Sequence, residues 1–291
     1  MMNKTNNQPP MLMGILNVTP DSFSDGGQHN TPSAAIKRAF EMQKQGADII
    51  DIGGESTRPG AESIDDIEQI ARVIPVIEGI RKQDKNLLIS VDTTSYRVAQ
   101  AALEAGANWI NDISAGEDSY LADGSFAADG SLTADGSEVI LTLAAEKNTP
   151  IVLMHRQGKS KTMQDSPYYD DVCKEVCGYL QARAELAMQV GIAKENIILD
   201  PGIGFGKTTE HNLSLLNNLE ALVKLGYPVL LGTSRKRFLG EITGQDEADK
   251  RVAATCATTA LGFYSGVQVF RVHDVEENKQ ALDVALAIKN A

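Results

Sequence analysis

The chain has 291 residues, 42% hydrophobic and 23% charged, with 27 Lys and Arg against 39 Asp and Glu for a net charge of −12. That composition excludes extended disorder, collagen and a disulfide scaffold. Its acidity argues against nucleic acid or an anionic membrane as a partner, so an anionic ligand must be drawn in by a few focused cations.

Residues 1–10 are polar and carry no apolar h-region, so no signal peptide is expected and the segment is read as disordered. No run of apolar residues is long enough to span a membrane. Three cysteines point to reduced thiols and a cytoplasmic location. Cys173 and Cys177 are spaced to share a helix face, where packing is the expected role.

Short apolar runs at Met11–Leu16, Ile49–Ile52, Leu87–Val91, Trp109–Ile113, Ile151–Met154, Ile197–Leu199, Val229–Leu231 and Val267–Val272 lack polar alternation. They read as strands buried on both faces of a parallel sheet. Between them, helices are expected at Ser33–Gln45, Ile64–Arg81, Tyr96–Ala105, Glu138–Lys147, Asp170–Val190, Asn212–Leu225, Glu247–Ser265 and Val275–Lys289. Gly46, Gly106, Gly191, Gly226 and Gly266 follow five of these, where a left-handed stop is wanted. Regular alternation over this length predicts an α/β fold, a single-domain (β/α)8 TIM barrel spanning residues 11–291. Three Ala-Asp-Gly-Ser repeats interrupt it at about residues 118–137 and are read as a mobile insertion without chemistry.

In such a barrel the C-terminal strand ends converge on one face, where active sites are built. Asp92, Asn111 and Asp200 each end a strand that should be buried, which is costly unless a polar ligand satisfies them. Their acceptors and amide suit a flat heterocycle with several N–H and C=O groups. Asp112, Asp274 and Thr93 are as well explained by capping and turns. Arg58, Lys236, Arg271 and His273 form a cationic set suited to phosphate or carboxylate. Asn17 and Asp25 offer oxygens to a Mg²⁺ bridging a diphosphate. Gly26, Gly27, Gly53, Gly54 and Gly60 would let the first two loops close over the site.

Gly202-Ile-Gly-Phe-Gly-Lys207-Thr208 imitates a phosphate-binding P-loop, but the pattern needs Gly where Pro201 stands. A Rossmann fingerprint fails as well, so neither ATP nor NAD is expected.

Gly14-Ile-Leu-Asn-Val-Thr-Pro-Asp-Ser-Phe-Ser-Asp-Gly-Gly27 and Asp51-Ile-Gly-Gly-Glu-Ser-Thr-Arg-Pro-Gly60 closely resemble the two signature segments of the bacterial dihydropteroate synthase family. So do Asp92-Thr, Asn111-Asp112, Leu153-Met-His155, Asp200-Pro-Gly, Gly204-Phe-Gly-Lys207, Ser234-Arg-Lys236 and Arg271-Val-His-Asp274. The resemblance covers about residues 11–290. It implies condensation of 6-hydroxymethyl-7,8-dihydropterin diphosphate with p-aminobenzoate to 7,8-dihydropteroate and diphosphate, in an enzyme class targeted by sulfonamides. By position it implies that Asp92, Asn111, Asp200 and Lys236 hold the pterin, with Met154 and Phe205 lining its pocket. Asn17, Arg58, Arg271 and His273 would hold the diphosphate, with Asn17 and Asp25 on Mg²⁺. Thr57, Arg58, Pro59, Phe23, Ser24 and Arg237 would surround p-aminobenzoate. Asp92, Lys236, Arg271 and His273 are the implied catalytic set, and a homodimer is the implied assembly.

Three departures stand out: Arg237 where many relatives have Ser, Arg156 where Met is common, and the Ala-Asp-Gly-Ser repeats. Two rival readings share the ring-binding trio. One is a methyltetrahydrofolate-dependent methyltransferase, which needs no diphosphate site; the other is a binder without turnover.

Overall fold

The structure, a computed structural model, describes residues 9–19, 32–55, 64–118, 139–158 and 162–291. The predicted residues Phe23, Ser24, Asp25, Thr57, Arg58 and Pro59 lie outside these, as do nearly all of the two segments expected to be a disordered start and a repeat insertion.

The apolar runs form eight parallel strands among the described residues: β1 Met11–Asn17, β2 Ile49–Gly53, β3 Leu88–Asp92, β4 Trp109–Asp112, β5 Ile151–Met154, β6 Ile197–Asp200, β7 Leu230–Leu231 and β8 Val269–Val272. Their order is β6-β5-β4-β3-β2-β1-β8-β7, and a Leu199–Val229 bridge joins β6 to β7 and closes the ring. Helices follow the strands around the outside: α1 Pro32–Gln45, α2 Asp66–Gln83, α3 Tyr96–Glu104, α4 Val139–Glu146, α5 Val172–Val190, α6 Thr209–Asn217, α7 Leu219–Val223, α8 Arg237–Thr243, α9 Val252–Tyr264 and α10 Val275–Lys289. The predicted (β/α)8 barrel is the observed fold. No helix among the described residues is long and apolar enough to cross a membrane.

Four strands run one residue past their apolar runs, ending on Asn17, Gly53, Asp92 and Asp200. Ladder hydrogen bonding does not depend on side-chain polarity, so pairs such as Gly53–Asp92 and Met154–Asp200 extend the sheet. The five predicted stop glycines all have positive φ, from +80° to +111°. Two helical expectations need correction. The stretch 212–225 divides at Asn218 into α6 and α7, and 247–265 opens with a 3₁₀ turn, Ala248–Arg251. The short α8 was not anticipated, because a basic segment with a central glycine hides the Phe238–Leu239 pair it buries.

Side chains alternate along each strand, which divides the core in two. Outward residues such as Ile50, Ile52, Ile89 and Val91 join the large cluster beneath the helices. Inward residues Met13, Ile49, Val152, Ile198, Leu230 and Val269 form a separate apolar plug inside the barrel. Two residues further along, the same inward positions carry Ile15, Asp51, Met154, Asp200, Gly232 and Arg271, so charged groups first enter the barrel at this level. The barrel is therefore apolar at its floor and polar at its C-terminal mouth.

Candidate active site

A cavity of about 760 Å³ opens at that mouth, lined by Asn17, Asn111, Met154, Asp200, Phe205, Lys236, Arg271 and His273 among others. Arg237 stands on its rim, exposed as the first residue of α8 and paired with Glu241 at 2.8 Å. Asp92 is not on the wall; the Arg271 guanidinium, which is, lies against it.

Arg271 spans the barrel. Its Nε donates to Asp51 Oδ2 at 2.6 Å and its Nη2 to Asp92 Oδ2 at 2.6 Å. Burial alone would lower its pKa, but the Asp51 and Asp92 carboxylates outweigh burial and raise it. Asn111 Nδ2 donates to the same Asp51 Oδ2 at 3.0 Å. Asp51 is fully buried and was not singled out in the sequence, where it sits in the second apolar run. Strand alternation was the signal: it places Asp51 two residues before Gly53, on the inner face.

Several acceptors are left over. Asp92 Oδ1 is buried with no hydrogen-bond partner. Burial pushes the Asp92 carboxyl up to about 7, with Arg271 opposing and Asp51, Asp112 and Glu55 reinforcing. Asp200 Oδ1 accepts the Gly202 N–H at 2.7 Å, and burial raises this carboxyl to about 6. Against them stands Lys236, its Nζ 4.0 Å from the centroid of the Phe205 ring. Burial lowers the ammonium to about 8, with Asp200 resisting and Arg271 adding to the drop. Two carboxyls, an amide and one ammonium beside an aromatic face can read a flat ring with several N–H donors and a carbonyl.

The loops after β6 and β7 hold these groups in place. Lys207, the decoy lysine, is turned inward: its Nζ donates to the carbonyls of Gly202, Phe205 and His155 at 3.0, 3.0 and 3.3 Å, with His155 Nδ1 at 3.0 Å. Burial and this ammonium drive His155 down to about 3, so its imidazole is neutral. Arg235 has φ +59°, a sparsely populated conformation for a non-glycine residue. It is held by Asp274 at 2.9 Å and by Thr255 Oγ1, which accepts its N–H at 3.1 Å, and it delivers Lys236 to the cavity. Ser234 Oγ accepts the His273 N–H at 3.1 Å and lies 3.0 Å from His273 Nδ1, tying the ends of β7 and β8 together. Asp112 instead receives Ser114 N–H and Gly116 N–H at 2.7 and 2.6 Å, and Thr93 Oγ1 receives Ser95 N–H at 3.1 Å. These are turn contacts.

Gly202 offers a direct check on this loop. Its φ is +63°, and a Cβ there would meet His155 O at 1.8 Å. Gly202→Ala should lower the melting temperature by roughly 2 °C or more, as expected for a loss of about 1–2 kcal/mol or more in a domain of this size. Calorimetric melting checks it; an unchanged midpoint would show the loop to be pliable.

A ring pocket adjoining a cationic rim, at the C-terminal mouth of a parallel barrel, defines an enzyme acting on a flat N–H-rich heterocycle that bears an anionic group. Residues 13–273 match the pterin binding enzyme family, and the chain belongs to that family. It is 45% identical over 277 residues to the dihydropteroate synthase of Synechocystis sp., covering 95% of this chain and 89% of that protein. Xanthomonas albilineans dihydropteroate synthase with 4-aminobenzoic acid is similar at a TM-score of 0.85 and 43% identity, covering 98% of this chain and 94% of that one. The Yersinia pestis dihydropteroate synthase solved with a sulfonamide drug complex matches at 0.85 and 40%, covering 97% and 95%.

Proposed function

We infer that this chain is a transferase that catalyses the dihydropteroate synthase reaction of folate biosynthesis: 6-hydroxymethyl-7,8-dihydropterin diphosphate and p-aminobenzoate give 7,8-dihydropteroate and diphosphate. The observation that carries the reading is the adjacency of Asn111, Asp200 and Lys236 to Arg271 and His273 in one cavity. A pterin offers several N–H donors to the acceptors and a carbonyl to the ammonium, with Met154 and Phe205 against its faces. Ring N–H groups take the place of Arg271 Nη2 on Asp92, and that end of the guanidinium turns to the diphosphate.

Bond breaking leaves negative charge on the departing diphosphate, which Arg271, His273 and the Asn17 amide stabilise, a kind of effect worth several kcal/mol. Positive charge left on the methylene spreads into the electron-rich ring, where the Asp92 carboxylate stabilises it. The p-aminobenzoate nitrogen then attacks that carbon and loses a proton, so no covalent enzyme intermediate is formed. Arg237, on the rim, is placed to meet the carboxylate of the incoming p-aminobenzoate.

Magnesium enters this reading as an ion carried mainly by the substrate's phosphate oxygens. Among the described residues no group of three His, Cys, Asp or Glu is placed to hold a metal, while Asn17 adds one neutral oxygen donor at the cavity wall. Asn17, with Asp25 outside the described residues, would hold the ion together with the substrate's phosphates. When bound, the ion supplies further charge neutralisation to the leaving group. A cytoplasmic location is supported by three free cysteines. A homodimer is supported by Leu261, Tyr264, Val284 and Ile288, large apolar side chains exposed on the packed pair α9 and α10.

Mixing the protein with both substrates and Mg²⁺ should release one diphosphate per dihydropteroate formed. A protein that binds the pterin ring yet releases none, as a methyltransferase or a silent binder would, overturns the reading.

A further inference from the structure

We propose that Asp51 is a positioning residue that sets the polarity of the ring pocket, turning the Asn111 amide oxygen toward the mouth and anchoring the Arg271 guanidinium across the barrel. The proposal rests on the pterin reading above.

Asp51 is fully buried and is not part of the cavity wall, so it acts through its neighbours. A carboxylate paired with a guanidinium can only accept hydrogen bonds. The end of the Asn111 amide that faces it must therefore be the NH₂, which leaves Oδ1 for the cavity. The wall then presents acceptors from Asn111 and Asp200, matched to a ring that donates. The same Oδ2 receives Arg271 Nε at 2.6 Å, so one oxygen aligns a neutral reader and a cationic clamp from β4 and β8. Both Arg271 anchors keep a buried Oδ1 without a partner, and neither lines the cavity. The Asp51 Oδ2 is shared with a second donor, Asn111, which pins it, whereas the Asp92 Oδ2 receives Arg271. Asp51 is thus the fixed pivot of the guanidinium and Asp92 its exchangeable end.

A charge-conserving swap tests the idea. Affinity for 6-hydroxymethylpterin would be measured by calorimetry for the wild type, D51N, N111D and the double variant D51N/N111D. The single variant D51N frees the Asn111 amide to rotate, and N111D sets two carboxylates against each other. Each should weaken binding by about tenfold or more, as for loss of a buried charged hydrogen bond. In the swap, the amide introduced at position 51 donates to one oxygen of the carboxylate introduced at position 111, and the other oxygen faces the mouth. Arg271 Nε, which shared Asp51 Oδ2 as its acceptor, loses it. Binding should then recover about threefold or more over N111D while staying below wild type, a coupling that only direct partners show. The KM for p-aminobenzoate should stay within about twofold throughout, which a general loss of barrel structure would not allow. Losses that multiply in the swap would overturn the proposal, as would a D51N protein that binds like wild type. If D51N alone does not fold, N111D against the swap still decides. Failure of the wild type to bind the ring would instead overturn the pterin reading, and the inference with it.

Discussion

Arg271→Met should lower kcat/KM for the pterin diphosphate by about three orders of magnitude, close to 4 kcal/mol of lost transition-state stabilisation. Two losses add here. The clamp on the departing diphosphate disappears, and Asp51 and Asp92 lose the guanidinium that each contacts at 2.6 Å. Breaking a buried ion pair by removing one partner costs about 3–5 kcal/mol. Part of that is relieved when Asp92 takes up a proton, because its carboxyl already titrates near 7. The variant should therefore melt earlier than wild type, and the difference should widen as the pH rises and Asp92 is forced to ionise. Arg271→Lys keeps a charge but not the two-ended fork, and should fall between the two, about tenfold or more below wild type. Steady-state diphosphate release and thermal melting check both. Turnover of Arg271→Met within about tenfold of wild type would remove it from the clamp.

The parts of this site legible in the sequence are those that end a buried strand. Asp92 and Asp200 each end their strand as expected, while Asn111 stands one residue before the end of β4, which closes on Asp112; a barrel brings such ends together. Lys236 and Arg271 were legible as cations in an acidic chain, the first in the loop after β7 and the second within β8. Asp51 was not, because Ile49-Ile-Asp-Ile-Gly53 reads as a continuous buried strand, and only the inward register beside Ile49 and Gly53 shows what its carboxylate faces. Asp92 was legible as buried, but not as lying beneath Arg271; cross-barrel contacts join strands far apart in sequence and leave no local pattern. The internal role of Lys207 was likewise hidden, since its partners are backbone carbonyls two to fifty-two residues away. Helix α8 escaped because seven residues with a central glycine carry too little periodicity to stand out from a loop. Thr57, Arg58 and Pro59, with Phe23, Ser24 and Asp25, lie outside the described residues.

Asp92→Asn should cut turnover by about tenfold or more and move the acid limb of ring binding from about 7 down to about 6. The free carboxyl titrates near 7, raised by burial first and by Asp51, Asp112 and Glu55, with Arg271 pulling the other way and Lys236 close enough to interact. Ring N–H donors need the ionised form, so affinity should rise with pH up to about 7. Lys236, lowered to about 8 chiefly by burial, must stay protonated to meet the ring carbonyl, so affinity should fall again above that. Wild type then binds 6-hydroxymethylpterin best between about pH 7 and 8, losing up to about tenfold per unit on either side. An asparagine cannot titrate, so Asp92→Asn keeps the alkaline limb and an acid limb set by Asp200 near 6. The sign for folding is the reverse of that for binding. A carboxyl raised from 3.8 holds its proton in the folded state through a window where the unfolded chain has lost it, so its contribution to stability is present at low pH and is lost as the pH rises through about 7. The stability of Asp92→Asn relative to wild type should therefore improve from about pH 5 to about pH 8 even as its activity stays low. Calorimetric titration and melting across that range check both halves. An acid limb that stays near 7 in Asp92→Asn would take that titration away from Asp92.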